Sequence, residues 1–156
     1  LSSVLMVRRG FDKEDFARNH PGGELGKQLA LKVENIMHPI NDVAQINNKD
    51  SISSCAKKMT DNPLGAALLL ENGSLKGIVT EGDLRKSIAS NLDLSNSIEP
   101  FINDNPISIH SSVSILDAMK IMEDRSSKIS CLTVVDSDGK CLGLLTIHDL
   151  YHTKLV

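Results

Sequence analysis

Gly77-Ile78-Val79-Thr80-Glu81-Gly82-Asp83-Leu84 returns 66 residues later as Gly143-Leu144-Leu145-Thr146-Ile147-His148-Asp149-Leu150. In both copies an apolar run leads into a Thr, and an Asp follows three residues on. This is the order of a buried strand that ends at a helix N-terminus, with Thr in the capping position and Asp one turn in. Upstream of each copy lies a turn between two apolar runs. Asn72-Gly73 separates Ala66–Leu70 from Leu75–Val79, and Asp138-Gly139 separates Leu132–Val135 from Cys141–Leu145. Asn-Gly and Asp-Gly in that setting signal hairpins.

Further out, the duplication continues. Ile52, Cys55, Ala56 and Met59 fall at i, i+3, i+4 and i+7, as do Ile115, Ala118, Met119 and Met122, so each copy carries an amphipathic helix. The Met residues at 59, 119 and 122 read as core fillers. A short extended piece precedes each helix, Val43–Ile46 and Ile107–Ile109. Ile40-Asn41-Asp42 matches Ile102-Asn103-Asp104 at an offset of 62, and the offset grows in steps to 63 and then 66. The segment from Ile36 to Ile88 is thus repeated from Ile98 to the C-terminus. The unit is β-α-β-β-α, present twice, in an α+β fold. Copies this small bury too little surface alone and are expected to share a core.

Composition narrows the function. The 156 residues are 40% hydrophobic and 24% charged, a globular balance. A net charge of −3, with 3% aromatics and no Trp, argues against a nucleic-acid reader. Ala66–Leu70 is the longest aliphatic run and is far short of a bilayer span, so no membrane segment is expected. Residues 1–7 do not resemble a signal peptide, and without an initiator Met the chain reads as cut from something longer. Cys55, Cys131 and Cys141 are odd in number and set among apolar residues, which predicts reduced, buried thiols in a cytoplasmic protein.

The Thr-x-x-Asp pairs admit two roles. A Thr hydroxyl that accepts the amide three residues on is a structural cap. The same helix start offers amides to a phosphate, and an Asp one turn in can accept the hydroxyls of a ribose. Arg85 and Lys86 follow the first copy and Tyr151 and His152 the second, so the first cleft is the expected place for an anion. His148 and His152 have a metal-compatible i, i+4 spacing, but no third ligand is evident and a solvated helix face is the expectation; no metal site is assigned.

Two such units in tandem, each with Gly-x-x-Thr-x-x-Asp-Leu, resemble a CBS-domain pair, or Bateman module. The resemblance implies a pseudo-twofold pair whose clefts bind adenosyl or other nucleotide ligands. It assigns phosphate contact to Thr80 and Thr146, ribose contact to Asp83 and Asp149, and close backbone approach to Gly77 and Gly143. It also implies disc-like homodimers of CBS pairs.

Residues 1–35 differ from both units. Asp12 is a candidate N-cap with Phe11 and Phe16 placed as a hydrophobic staple, and His20-Pro21-Gly22-Gly23 ends that helix. The string from Asp15-Phe16-Ala17-Arg18 through His20-Pro21-Gly22-Gly23-Glu24-Leu25-Gly26 is similar to the junction of the KpsF/GutQ family. These are arabinose-5-phosphate isomerases with a sugar isomerase (SIS) domain ahead of a CBS pair. The resemblance implies three parts: a SIS remnant over 1–31, a first CBS domain over 36–91 and a second over 98–156. It implies that the parent enzyme converts ribulose 5-phosphate to arabinose 5-phosphate for Kdo and lipopolysaccharide or capsule synthesis, with His20 in its active site. A chain lacking most of the SIS domain is expected to be inactive alone. No obligatory cofactor is expected. The regulatory ligand is expected to be a nucleotide or nucleotide sugar, with CMP-Kdo favoured over AMP and ATP and with Arg85 contributing to its binding. The alternative is a non-enzymatic CBS sensor or oligomerisation module attached to a different effector.

Overall fold

The computed structural model describes Gly26, Lys27 and residues 30–153, so the Asp12 cap, the Phe11–Phe16 staple and His20 lie outside the described residues. From Val33 the elements are α1 (Val33–Ile36), β1 (His38–Pro39), a 3-10 turn (Ile40–Asp42), β2 (Ala44–Ile46), α2 (Ile52–Asp61), β3 (Ala66–Glu71), β4 (Ser74–Thr80) and α3 (Glu81–Ala89). A second 3-10 turn (Glu99–Phe101) leads to β5 (Ser108–His110), α4 (Ile115–Glu123), β6 (Cys131–Val135), β7 (Cys141–Thr146) and α5 (Ile147–His152). The β-α-β-β-α order is therefore present twice.

Local chemistry sets these elements. Ser51 Oγ accepts the Ser54 amide at 3.0 Å to start α2, and Ser114 Oγ accepts the Asp117 amide at 3.1 Å to start α4. Their apolar stripes turn inward: Ile52, Cys55 and Met59 on α2 are buried, as are Ile115, Ala118 and Met122 on α4. In the first hairpin Asn72 and Gly73 both take positive φ, 52° and 80°, as a two-residue primed turn requires. The second hairpin closes differently. Only Gly139 has positive φ, and Asp136 Oδ1 accepts the amides of Asp138 and Lys140, each at 2.9 Å, to hold a longer loop.

Strands β2, β3 and β4 form one sheet, with β2 parallel and β4 antiparallel to β3. Strands β5, β6 and β7 repeat that arrangement, and β1 adds to the β7 edge. The addition of β1 is half of a reciprocal exchange. His38 pairs with Leu144 of the second unit, while Asn103, leading into the second unit, bridges Ile78 of the first. Since Ile78 and Leu144 are repeat-equivalent, His38 corresponds to Asn103. The match of Ile40-Asn41-Asp42 to Ile102-Asn103-Asp104 is thereby corrected: strand pairing aligns these leading segments at an offset of 65, not 62.

The cores carry the same exchange. Val33, which precedes the first unit, is buried with Ile109, Ile115, Leu132 and Leu145 of the second. Ile98, the first residue of the second unit, is buried with Ile46, Ile52, Ala67 and Val79 of the first. A third cluster lies between the sheets and joins Val43, Ala66, Leu68 and Ile78 to Cys141 and Leu144. Burying a Leu or Val side chain stabilises by about 1.5–3 kcal/mol, so neither unit retains its stability without the other. The expected shared core is this cluster plus the two exchanged residues.

Candidate functional site

Both strand-to-helix junctions open onto one cavity of about 570 Å³ between the two units. Thr80, Gly82 and Arg85 reach it from the first unit, Lys128, Thr146, His148 and Asp149 from the second, and His38 and Asn103 from the exchanged segments. The size is that of an ordinary small-molecule site.

The helix starts are fully formed capping boxes. Asp83 Oδ2 accepts the Thr80 amide at 3.0 Å and the Thr80 hydroxyl at 2.8 Å, while Thr80 Oγ accepts the Asp83 amide at 3.4 Å. The second copy has the corresponding distances of 2.8, 2.7 and 3.3 Å between Thr146 and Asp149. The first helical amide of each is also engaged, Glu81 with the Gly65 carbonyl at 3.1 Å and Ile147 with the Ser130 carbonyl at 2.8 Å. Each junction therefore leaves little of its helix start for a ligand. In α3 the Gly82 amide, on the cavity wall, has no acceptor among the described residues. A phosphate would draw on this amide and on a Thr hydroxyl turned away from its Asp.

The two carboxylates differ. Asp149 lies on the wall, and its Oδ1 accepts a hydrogen bond from His38 Nε2 at 2.9 Å. Asp83 is not on the wall, and its Oδ1 has Lys86 Nζ at 3.7 Å. Two cations face the cavity from opposite units, Arg85 on α3 and Lys128 in the loop after α4. Both are exposed, and neither forms a salt bridge among the described residues. Cys131 lines the cavity too; burial, with the Asp83 charge adding to it, pushes its thiol up to about 11, so it stays protonated at neutral pH despite the bond from Ser130.

Gly77 and Gly143 are not on the cavity wall, and chain crossing accounts for both. A Cβ on Gly77 would lie 2.5 Å from Ile102 Cγ2 and 3.1 Å from the Asn103 carbonyl. On Gly143 it would collide with the His38 carbonyl. The glycines let the exchanged segments lie flat on β4 and β7.

Of the residues singled out from sequence, Thr80, Arg85, Thr146 and Asp149 thus meet in one place. His38, Asn103 and Lys128 were not anticipated there. His38 and Asn103 arrive by strand exchange. Lys128 belongs to a stretch without a counterpart in the first unit, so the repeat pattern holds no signal for it. His148 and His152 are exposed, and no group of three His, Cys, Asp or Glu residues is placed to hold a metal ion among the described residues. No helix among them is long and apolar enough to cross a membrane.

Comparison with known proteins finds the profile of the CBS domain at residues 33–90 and again at 98–154. The arabinose 5-phosphate isomerase KdsD of Pseudomonas aeruginosa is 39% identical over 152 residues, covering 96% of this chain and 46% of the relative. KdsD of Escherichia coli K12 is 32% identical over 158 residues, covering all of this chain and 47% of the relative. The chain thus spans about half the length of the curated relatives it matches. Among solved structures, CBSX2 in complex with AMP superimposes with a TM-score of 0.65 at 20% identity, over 80% of this chain and 96% of that one. The CBS pair of MJ0100 in complex with 5′-methylthioadenosine and S-adenosyl-L-methionine gives 0.69 at 24%, over 78% and 98%. At these identities the likeness is one of fold.

Proposed function

The chain belongs to the CBS-domain family, and from that premise we propose that it is the effector-binding segment of a cytoplasmic arabinose-5-phosphate isomerase. Similarity to KdsD over nearly the whole chain supports the choice of parent. In the parent, ribulose 5-phosphate is converted to arabinose 5-phosphate for Kdo and lipopolysaccharide or capsule synthesis. His20 belongs to the active site of that enzyme, and the present segment does not isomerise by itself.

The observation that carries the binding role is the meeting of Arg85 and Lys128, from opposite units, on one cavity that both Thr-capped helix starts also reach. Neither cation has an anionic partner among the described residues, so an anionic ligand with two charged groups satisfies both while bridging the units. A nucleotide sugar fits that demand, with CMP-Kdo ahead of AMP and ATP because it offers a phosphate and a separate carboxylate. The solved neighbours that hold AMP, or methylthioadenosine and S-adenosylmethionine, support a nucleotide-type ligand in general. Asp149 keeps the ribose role as part of this proposal, whereas Asp83 is off the wall and the space at Gly77 and Gly143 is taken by the crossing segments. Homodimerisation of CBS pairs is likewise proposed, on the exposed Ile88, Leu92, Leu94 and Tyr151; a monomer by light scattering at high concentration contradicts it.

Titration calorimetry with CMP-Kdo, CMP, AMP and ATP tests the reading. Arg85→Ala and Lys128→Ala are each expected to weaken the preferred ligand by roughly 10-fold or more, the worth of a charge-assisted hydrogen bond of about 1.5–3 kcal/mol. Absence of binding by all four ligands below millimolar concentration overturns the effector role.

A further inference from the structure

The two halves of the cavity, so alike in their caps, differ at one pair of equivalent positions. Asn103 uses its side-chain oxygen locally, Oδ1 accepting the Asn105 amide at 3.0 Å, and among the described residues Asp83 Oδ1 has only the distant, solvent-exposed Lys86. His38 does the opposite and reaches across to Asp149 Oδ1 at 2.9 Å, with both side chains largely covered (33% and 16% exposed). A carboxylate oxygen accepts, so the imidazole N–H is the donor. With Oδ2 taken twice by Thr146, the oxygen of Asp149 that could receive a ligand is the one His38 holds.

His38 also has a defined mechanical position. It follows Met37, whose amide bonds the Val33 carbonyl at 2.9 Å, and α1 is anchored in the second unit by Val33 and by the bond from its amide to the Val113 carbonyl at 2.9 Å. The His38 side chain is thus the cavity-facing end of the segment by which the chain enters the CBS pair.

We propose that His38 is an internal competitor for the second half of the cavity. The vicinal hydroxyls of a ligand and the His38 imidazole compete for Asp149 Oδ1, so a diol engages this carboxylate only by releasing His38. Binding there removes the side-chain tie between the entering segment and the second unit, which is the direction in which an upstream domain would sense it. Among the described residues the first half has no such competitor. This inference rests on the nucleotide reading of the cavity.

Calorimetry on the chain as it stands separates the two ideas. AMP is the probe, with 2′,3′-dideoxy-AMP as the ligand that lacks the diol. His38→Ala is expected to tighten AMP binding roughly 5- to 20-fold, less than the full worth of a charge-assisted hydrogen bond because both partners are part-exposed. His38→Asn, which copies Asn103, is expected to do the same and guards against loss of folding in the alanine variant. Dideoxy-AMP gains nothing from either change. Wild-type binding of AMP with unchanged or weaker affinity in both variants overturns the competition and leaves the effector role standing. No AMP binding by wild type or variants overturns the competition, and the effector role then stands or falls with CMP-Kdo, CMP and ATP. An equal gain for dideoxy-AMP also overturns it, since the contested oxygen would then not be a diol site.

Discussion

Replacing Gly143 by Ala puts a methyl group against backbone that has no room to yield. The new Cβ would collide with the His38 carbonyl and stand 3.0 Å from its carbon and 3.3 Å from Pro39 Cα. Relief requires β1 to lift off β7. That breaks the His38–Leu144 and Pro39–Gly143 pairing and loosens Val33 in the second core. Overpacking costs about 1–3 kcal/mol, and each lost backbone hydrogen bond adds about 0.5–1.5 kcal/mol. A total of about 4 kcal/mol follows, or a fall in Tm of about 8–16 °C at 2–4 °C per kcal/mol for a chain of this size. Gly77→Ala meets Ile102 Cγ2 at 2.5 Å and the Asn103 carbonyl at 3.1 Å, a looser approach to backbone than at Gly143, and costs about 1–3 kcal/mol. Gly139→Ala has nothing within 4 Å and costs only the left-handed backbone at φ +79°, about 1 kcal/mol. Urea titration of the three variants should rank them Gly143, Gly77, Gly139 from most to least damaging. Hydrogen exchange in Gly143→Ala should show lost protection at the Leu144 strand edge. A Gly143→Ala protein as stable as Gly139→Ala refutes the crossing geometry.

Other expectations follow from local chemistry. Burial opposes ionisation of Asp50, but Lys58 Nζ at 2.7 Å, the Asn47 amide and the Ser54 hydroxyl outweigh it and hold the carboxyl below its ordinary value. A lowered folded pKa contributes stability that is complete above the unfolded value of about 3.9 and is lost as pH falls through the folded one. Thermal melts should therefore show Asp50→Asn less stable than wild type by about 1–3 kcal/mol at pH 7, with the gap closing below pH 4. Thr80→Ala and Thr146→Ala each remove a cap and should cost about 0.5–2 kcal/mol, measured by urea unfolding. Burial pushes the Cys55 and Cys131 thiols to about 11 and raises that of Cys141, so iodoacetamide at pH 7.5 should label the folded chain far more slowly than the unfolded one. Equal labelling rates contradict the packing.

The duplicated unit was legible because its signals are local. The Thr-x-x-Asp starts, the Ile52 and Ile115 stripes and the Gly-containing turns each act within a few residues, and all fall where the sequence puts them. The pairing of β1 with β7 was not legible. It joins residues more than 100 positions apart, and a two-residue strand has no periodicity to read. Local likeness even misled there, since Ile40-Asn41-Asp42 and Ile102-Asn103-Asp104 match as letters while His38 and Asn103 match in the sheets. The site divides along the same line. Thr80, Arg85, Thr146 and Asp149 ride on the repeated motif, whereas His38 and Lys128 occur in one copy only. Gly77 and Gly143 were conspicuous, but what they accommodate is the chain itself.

The β1–β7 pairing also carries a timetable. During synthesis His38 emerges from the ribosome about 106 residues before Leu144, and at 5–20 residues per second that interval is about 5–20 s. For that time Val33 and the edge residues around it have no sheet to join, and the nascent first unit awaits the arrival of Ile98 to fill its own core. A pause between residues 98 and 144 would prolong the exposure, leaving an apolar segment open to chaperones or to another nascent chain of the same kind. Two such chains that exchange entering segments with each other, rather than within themselves, would form an entwined dimer whose strand pairings match those of the monomer.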